Sequence, residues 1–399
     1  MATINHQEMP VVMRATQSII CSSALLLMGS TSVLAVEAEP FAERLSSILE
    51  KQNLSIAYTG AEERGDDVVL EGVTFSVGDE SVEAGDLVFE GVTGSQEEGY
   101  EITRFSTELE RDTGASSWSV QGFALEGVEL AGTDQASRVP TASEIYFERA
   151  TLDEIQTTND GEVAFRLNGA EISNEFGDDE ILTTQFDLGT FTITPGAGEE
   201  AEAFAEKLGY EELSGTLTGG GSWNAQTGDL EIEQVKLSVE DAGTLTFSES
   251  ITGYTPDFIQ SAVQLQERMA NQPDNSEAWT AATLGLISQL NLASLDITYE
   301  DASLAGRILE HYASLSGQSR EQLVATLDGM LPPMLGGLQN QELQNEIAAA
   351  VSRFLKDPSS ISLSLDPAQP VPAPQIVGAA LGAPATLPDI LNLSVTAGQ

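Results

Sequence analysis

Carboxylates are the most abundant side chains in this chain that can do chemistry. The sequence contains 63 Asp and Glu residues, and two carboxylates on either side of a glycosidic bond can act as acid and base. Several pairs are adjacent in the sequence, such as Glu62-Glu63, Asp66-Asp67, Asp178-Asp179 and Glu211-Glu212. Neighbouring residues on a strand point to opposite faces, and these pairs fall in turns or beside strands. The spacing therefore favours solvated turns over a catalytic pair.

Metal and phosphate sites are not indicated by the other motifs. The acidic segments 159–162 and 178–180 contain oxygen ligands of the kind that Ca²⁺ binds, but neither has the spacing of a recognised calcium loop. Gly219-Gly220-Gly221 lacks the Lys-Ser/Thr pair that follows the glycines of a phosphate-binding loop, so we interpret it as a flexible or closely packed strand segment. We predict no metal site and no cofactor.

Nucleophilic catalysis has few residues to depend on. Cys21 is the only cysteine, and His6 and His311 are the only histidines. Cys21 and His6 lie in a predicted signal peptide, so the exported protein would keep one histidine and no thiol. His311 follows Leu309 in a pattern typical of an amphipathic helix, and we interpret it as a partly exposed structural residue. We predict no catalytic residues and no enzymatic activity.

The first 35 residues have the composition of a secretory signal peptide. Arg14 precedes an apolar run over residues 18–35, and Val33-Leu34-Ala35 forms a cleavage site. We expect residues 1–35 to be removed on export. The alternative is that the chain remains anchored in the inner membrane through residues 18–35.

The net charge restricts the partners. The formal charge is −47, from 63 acidic and 16 basic residues, and it repels nucleic acid and anionic lipid headgroups at long range. We therefore exclude nucleic acid as a partner. The acidic residues are dispersed through strands and turns, which predicts a strongly hydrated surface whose self-repulsion is screened by salt.

One spacing of apolar residues (Φ), Φ-x-Φ-x-x-Φ-x-Φ, recurs along the chain and predicts the strands that position these side chains. Clear copies with glycine in the gap cover residues 68–75, 123–130 and 165–172, and looser copies cover 87–92, 145–152, 186–193 and 297–304. Alternation places one face of a strand on a core, and the three-residue step breaks that alternation. A β-bulge at the gap restores it. The alternative is a two-residue hairpin turn at each gap.

Changes in hydrophobic period divide the rest of the chain. Residues 36–198 are predicted to form a helix and an antiparallel β-sheet module, because short turn signals separate the motif copies. Residues 199–399 are predicted to form a second β module with helical segments at about 255–290 and 303–356 and an extended, Pro-rich closing segment. The predicted fold class is β-dominated α+β, with a helical C-terminal third packed on a curved antiparallel sheet of kinked strands.

Kinked antiparallel strands with one apolar face can curl into a groove that shelters an acyl chain. The residues predicted to line it are Leu70, Phe75, Phe89, Phe123, Leu125, Phe165, Leu167, Phe186, Phe191 and Tyr299. The alternative is that these residues meet the helices of 255–356 and form an ordinary core. A lipid or another apolar ligand is the partner that such a groove predicts.

The motif copies between Val68 and Ile193 are followed by strand-like segments at 215–223 and 229–239, by Leu295-Asp296-Ile297-Thr298-Tyr299 and by Leu363-Ser364-Leu365-Asp366-Pro367. This pattern resembles the AsmA-like envelope proteins of Gram-negative bacteria and related uncharacterised periplasmic families. The resemblance implies elongated β-sheet grooves, a periplasmic location and roles in outer-envelope integrity or lipid traffic. Members of that family usually keep an N-terminal membrane anchor.

The expected function is that of a non-catalytic periplasmic scaffold or binder of an apolar, lipid-like ligand in cell-envelope maintenance, with an envelope protein as a further partner. The alternative is a carboxylate-dependent hydrolase acting on envelope polysaccharide. Two carboxylates facing each other across a cleft, roughly 5 to 9 Å apart, would favour the hydrolase.

Overall fold

A computed structural model describes residues 36–78, 80–134, 137–141, 143–194, 200–271 and 276–398. The predicted signal peptide, residues 1–35, lies outside the described residues, as does the alternative anchor through 18–35. The chain divides into two compact units, Met1–Thr184 and Gln185–Gln399, and the division falls within the strand Ile181–Ile193. The fold is β-dominated α+β with antiparallel sheet, and the helices lie mostly in the C-terminal part.

The first unit begins with helix α1, Ala38–Lys51. Its strands are β1 Ser55–Ala57, β2 Gly60–Arg64, β3 Asp67–Val77, β4 Glu80–Glu90, β5 Thr93–Ser95, β6 Gly99–Asp112, β7 Ser116–Ala131, β8 Ile145–Tyr146, β9 Arg149–Asn159, β10 Glu162–Phe176 and the start of β11 Ile181–Ile193. Antiparallel pairs join β3, β4, β6, β7, β9 and β10 in that order. β1 and β2 both pair with β3, β5 pairs with β6, and β8 pairs with β7.

The glycine in the first motif copy lies in a β-bulge. Leu70 lies opposite Leu87 and Val73 opposite Gly85, so two residues of β3 face one residue of β4. Gly72 has a φ of 57°, a left-handed conformation that glycine adopts at little cost. Because β3 continues through this point, the predicted bulge is confirmed here and the hairpin alternative is wrong.

In the second clear copy of the motif, residues 123–130, the alternation of strand faces changes without a shift in register. Gly127 has a φ of 58°, but the register between β7 and β6 does not shift there. Ile102 and Phe105 of β6, three residues apart, both pack into the core that also holds Leu125 and Val128 of β7. The bulge predicted at Gly127 is therefore wrong for this pairing, since two strands that break their alternation at the same place stay in register.

The core of the first unit lies between α1 and the sheet. Phe41 is fully buried, and its ring meets the rings of Phe89 and Tyr100 edge-on, with centroids 5.0 and 5.2 Å away. Leu45 and Ile48 follow Phe41 at helical spacing and are buried in the same cluster. Burial raises the pKa of Tyr100 to about 12, so its phenol stays protonated in this core.

A cation is buried between α1 and the end of β7. The side chain of Arg44 is 5% exposed and pairs with the carboxylate of Glu144 at 2.9 Å. It also donates to the carbonyl oxygens of Ala131, at 2.7 Å, and Gly132, at 3.3 Å. Lys51 donates to the second carboxylate oxygen of Glu144 at 2.5 Å. These bonds join α1 to both sides of the connection between β7 and β8.

The second unit contains the rest of β11 and a further antiparallel sheet with most of the helices. Its elements are α2 Glu200–Lys207, β12 Leu213–Asn224, β13 Asp229–Val239, β14 Gly243–Thr252, α3 Pro256–Asn271, α4 Ser276–Ile287, β15 Asn291–Asp301, α5 Leu304–Leu315, α6 Arg320–Leu335, a 3₁₀ turn Gly336–Leu338, α7 Gln341–Lys356, β16 Ser360–Leu365, β17 Val371–Pro372, α8 Ala373–Gly382, a 3₁₀ turn Pro384–Thr386, α9 Leu387–Leu391 and β18 Leu393–Ala397. Pairs join β12, β13, β14, β15, β16 and β18 in that order, and β17 also pairs with β15.

Hydroxyl side chains cap the N-termini of two helices in this unit. The amide of Phe258 donates to the Thr255 hydroxyl at 3.2 Å at the start of α3, and Ser319 and Gln322 form a capping box at the start of α6. Helix α7 packs on β16 and β18, and the ring of Phe354 lies against Tyr299 of β15. The helical part is therefore packed on the sheet of its own unit.

The prediction that the Pro-rich segment is extended is wrong beyond β17. Residues Ala373–Gly382 form α8, which Pro372 precedes and in whose first turn Pro374 lies. Proline is tolerated there because the first amides of a helix have no intrahelical acceptor, so the missing N–H breaks no hydrogen bond. The chain then returns to the sheet as β18.

Candidate functional site

The residues predicted to line a groove separate into sets with different environments. Leu70 and Phe89 are buried in the core of the first unit, and Phe75 and Leu125 pack against it. Because α1 covers this cluster, these four residues form a closed core. The alternative prediction was that the helices of 255–356 cover these apolar residues. In the first unit, helix α1 covers them instead.

An apolar row crosses four strands of the first unit outside that core. Val120 of β7 lies opposite Leu109 of β6 and Ile155 of β9. Ile155 lies opposite Leu167 of β10. Residues directly opposite each other share a face of the sheet, so these four side chains form one line, which we call the apolar row. Ile155 is 6% exposed, and the other three side chains are half-buried.

Aromatic rings lie two residues further along the strands on the same face. Trp118 and Phe165 are both opposite Thr157 of β9 and are half-buried. Trp118 precedes Val120 by two residues, and Phe165 precedes Leu167 by two, so they share the face of the apolar row. The predicted lining residues Phe165 and Leu167 are thus brought together.

Phe123 joins this face because of a second bulge. Phe123 lies opposite Thr107, and Val120 lies opposite Leu109, so between these pairs β7 has one residue more than β6. Thr107 and Leu109 share a face, and therefore Phe123 and Val120 share it too. The extra residue belongs to Gln121-Gly122 and not to the predicted gap at Gly127.

The apolar face is continuous with the core under α1. The ring of Phe105 stacks on Phe89 with centroids 4.8 Å apart and meets Phe123 edge-on at 6.4 Å. Sequence reasoning missed Leu109, Trp118, Val120 and Ile155. The signal that would have found Trp118 and Val120 is the glycine at position 122, whose φ of 63° accompanies the bulge.

The remaining predicted lining residues have structural roles in the second unit. Gly219 and Gly215 leave room for the rings of Phe186 and Phe191, because an added Cβ would lie 2.7 and 2.6 Å from the nearest ring carbon. The close packing proposed for the glycine run is therefore observed at Gly219. The hydroxyl of Tyr299 donates to the carbonyl of Ala242 at 3.1 Å and to the carboxylate of Asp301 at 2.8 Å, which holds the start of α5.

The candidate chemical residues are dispersed. Glu62 and Glu63 are exposed neighbours on β2 and alternate in direction. The Asp67 carboxylate accepts a backbone hydrogen bond at 2.9 Å. His311 lies in α5 with its ring centroid 5.9 Å from that of Phe204. In the described ranges, no group of three or more His, Cys, Asp or Glu side chains is placed to hold a metal ion. A hydrolase remains a prediction.

Comparison with known proteins adds one match. A family model described as "Uncharacterized protein" matches residues 236–398, from within β13 to the end of β18. The search of curated proteins found no match. Among the described residues, no helix has both the length and the apolar composition needed to span a membrane.

Proposed function

We propose that this protein is a non-catalytic, periplasmic β-rich scaffold that binds an apolar, lipid-like ligand and serves cell-envelope maintenance, as the resemblance to AsmA-like proteins implies. The single observation that supports this most is the apolar row with its flanking rings. Its side chains are large and apolar, yet most of them remain half-buried in the folded chain. Binding an acyl chain would remove them from water, at about 25 cal/mol for each Å² of apolar surface covered.

The dimensions of the apolar row suit a chain-like ligand. Neighbouring strands lie about 4.8 Å apart, so the line from Leu109 to Leu167 across four strands is roughly 14 Å long. The neighbouring Trp118 and Phe165 widen it along the strands. A hydrocarbon chain lying across the strands would contact every member of the row, whereas a polar headgroup would extend to the solvent beyond one end of the row.

The direct experiment is lipid extraction from the protein purified from its own envelope, with mass spectrometry of the extract and N-terminal sequencing of the same preparation. We expect a co-purifying lipid and a mature N-terminus near residue 36. A variant with Phe165→Ser and Leu167→Ser is expected to lose most of that lipid. Val88→Ser is the matched control, because Val88 is 39% exposed and follows Leu87 of the buried core on the opposite face of β4.

An extract without lipid, or equal lipid in the double variant and the control, would contradict the proposal. Thermal unfolding of each variant shows whether a loss of lipid reflects a loss of fold. The N-terminal sequence tests the location separately, since an intact segment 1–35 would favour the anchored alternative.

A further inference from the structure

A cleft of about 540 Å³, lined by both polar and apolar surface, opens at one end of the second-unit sheet. It lies where β12, β13, β14 and β15 end, and its volume falls within the range of small-molecule sites. Residues lining it include Thr190, Ser214, Thr216, Ser238, Glu240 and Glu300. The apolar row lies in the other unit, so the cleft is a separate feature.

Cross-strand register places the cleft residues in line. Thr216 lies opposite Ser238, Ser238 opposite Thr244, and Thr244 opposite Glu300. Ser360 continues the line on β16. The line therefore consists of hydroxyl groups with one carboxylate, all on one face of the sheet.

A parallel line of four hydroxyl side chains and one lysine extends the cleft along the strands. Thr218 lies opposite Lys236, and Thr246 lies between Lys236 and Thr298. Thr298 is opposite Ser362, and their hydroxyl oxygens are 2.9 Å apart. Large apolar side chains alternate with these residues and belong to the opposite face. The surface next to the cleft thus offers small hydroxyl groups at regular spacing.

Most of the polar groups in the cleft have unused hydrogen-bonding capacity. In the part of the chain that the structure describes, the side chains of Thr190, Ser214, Thr216, Glu240 and Glu300 have no protein hydrogen-bond or ion-pair partner, and all of them except Ser214 are exposed to solvent. Each hydroxyl both donates and accepts, and each carboxylate accepts at two oxygens. A ligand that displaces water from these groups must therefore both donate and accept hydrogen bonds.

We propose that this cleft binds a neutral, polyhydroxylated ligand, an oligosaccharide. Its hydroxyls can donate to Glu240 and Glu300, and neighbouring hydroxyls can share the two oxygens of one carboxylate. They can also accept from Thr190, Ser214 and Thr216. Polyanionic glycans are disfavoured because the net charge of −47 repels them. A simple cation would use the carboxylates but leave the hydroxyl donors without acceptors.

Isothermal titration calorimetry of the full-length protein with cellopentaose and with maltopentaose tests this assignment. We expect saturable binding of at least one oligosaccharide. Glu300→Gln and Thr216→Val should each weaken it by roughly tenfold or more, the loss expected for a hydrogen bond involving a charged or buried group. Glu233→Gln is the matched control, since Glu233 is an exposed residue of β13 outside the cleft, and it should bind as the unaltered protein does.

Spermidine is the probe for a cation site. Binding of spermidine without binding of either oligosaccharide would overturn the proposal, and so would an absence of heat with both oligosaccharides at millimolar concentration. If Glu300→Gln, Thr216→Val and the control bind the oligosaccharide with equal affinity, the binding site is not this cleft. Matching circular dichroism melting curves establish that the variants are folded. The outcome is independent of lipid binding in the first unit.

Discussion

Arg44 shows how one residue can join elements that are far apart in sequence. Its partners Ala131 and Glu144 lie 87 and 100 residues further along the chain. A guanidinium buried among carbonyl and carboxylate oxygens is stable while all of its donors are used, and removing one partner leaves the others desolvated and unpaired. The contribution of Arg44 therefore depends on the whole cluster.

We predict that Arg44→Met lowers the free energy of unfolding by about 2 to 4 kcal/mol, because the variant keeps the apolar stem but leaves Glu144 and two carbonyls without this donor. Lys51→Met is the control, since Lys51 is 60% exposed and bonds the same carboxylate. It should cost less than about 1 kcal/mol. Urea unfolding measures both, and equal losses would contradict the role assigned to burial.

The same cluster predicts a pH dependence. Burial alone raises the pKa of Glu144, but hydrogen bonds from Lys51 and Arg44 outweigh it and the net pKa lies below the ordinary value of 4.5. A lowered folded pKa contributes stability that is complete above the unfolded pKa and is lost as the pH falls through the folded value. The stability difference between the unaltered protein and Glu144→Gln should persist at neutral pH and shrink below pH 4.5. A stability difference that stays constant as the pH falls below 4.5 would contradict this pH dependence.

At the scale of elements, the glycine bulges set the faces of the strands. Gly72→Ala should destabilise the protein by about 1 to 2 kcal/mol from its positive φ alone. It should cost more than Gly85→Ala, since an added Cβ at Gly72 would lie 2.8 Å from the Thr59 hydroxyl, whereas Gly85 has a positive φ but open space. Gly285→Ala in helix α4 is the control and should be neutral or stabilising. Thermal unfolding that ranks the three differently would contradict the bulge argument.

The alternation of apolar residues was sufficient to predict the strands and the kink at Gly72. The alternation did not predict the strand register at positions where the register depends on the partner strand. The bulge at Gln121-Gly122 and the unshifted register at Gly127 depend on β6. The change in strand alternation within β6 cannot be read from the residues of β7. Arg44 was missed because its oxygen partners are distant in sequence, and a single strand pattern carries no information about them.

Strand β18 is protected on the side that faces away from β16. The carboxylate of Glu346 accepts from the amide of Val395 at 2.8 Å, and Arg353 donates to the carbonyl of Ala397 at 2.8 Å. Both side chains come from α7. Helix side chains thus occupy backbone groups that an edge strand would otherwise offer to another chain.

We predict that Glu346→Ala lowers the hydrogen-exchange protection of the Val395 amide by roughly tenfold, because the amide loses one hydrogen bond to a charged acceptor. Glu346→Gln keeps an acceptor oxygen and should retain most of the protection. Glu342→Ala, an exposed residue in the first turn of the same helix, is the control. Unchanged exchange at Val395 in Glu346→Ala would show that the carboxylate does not protect this edge.

At the scale of the whole molecule, the net charge of −47 opposes compactness. Increasing sodium chloride from ~10 mM to ~1 M shortens the screening length from ~30 Å to ~3 Å. We therefore expect the melting temperature to rise over this range, with most of the gain at the low-salt end. Calorimetric melting in sodium chloride measures the effect, and a melting temperature independent of ionic strength would contradict it.

The position of α1 in the chain has a consequence for biosynthesis. This helix leaves the ribosome before any strand that it covers, and the oxygen partners of its Arg44 follow 87 to 100 residues later. The aromatic partners of Phe41, Phe89 and Tyr100, are synthesised about 50 to 60 residues after it, so the apolar face of the helix is exposed in the nascent chain until they follow. We expect the first unit to close in one late step, so that a ribosome stalled before residue 131 would carry an unfolded, protease-sensitive chain.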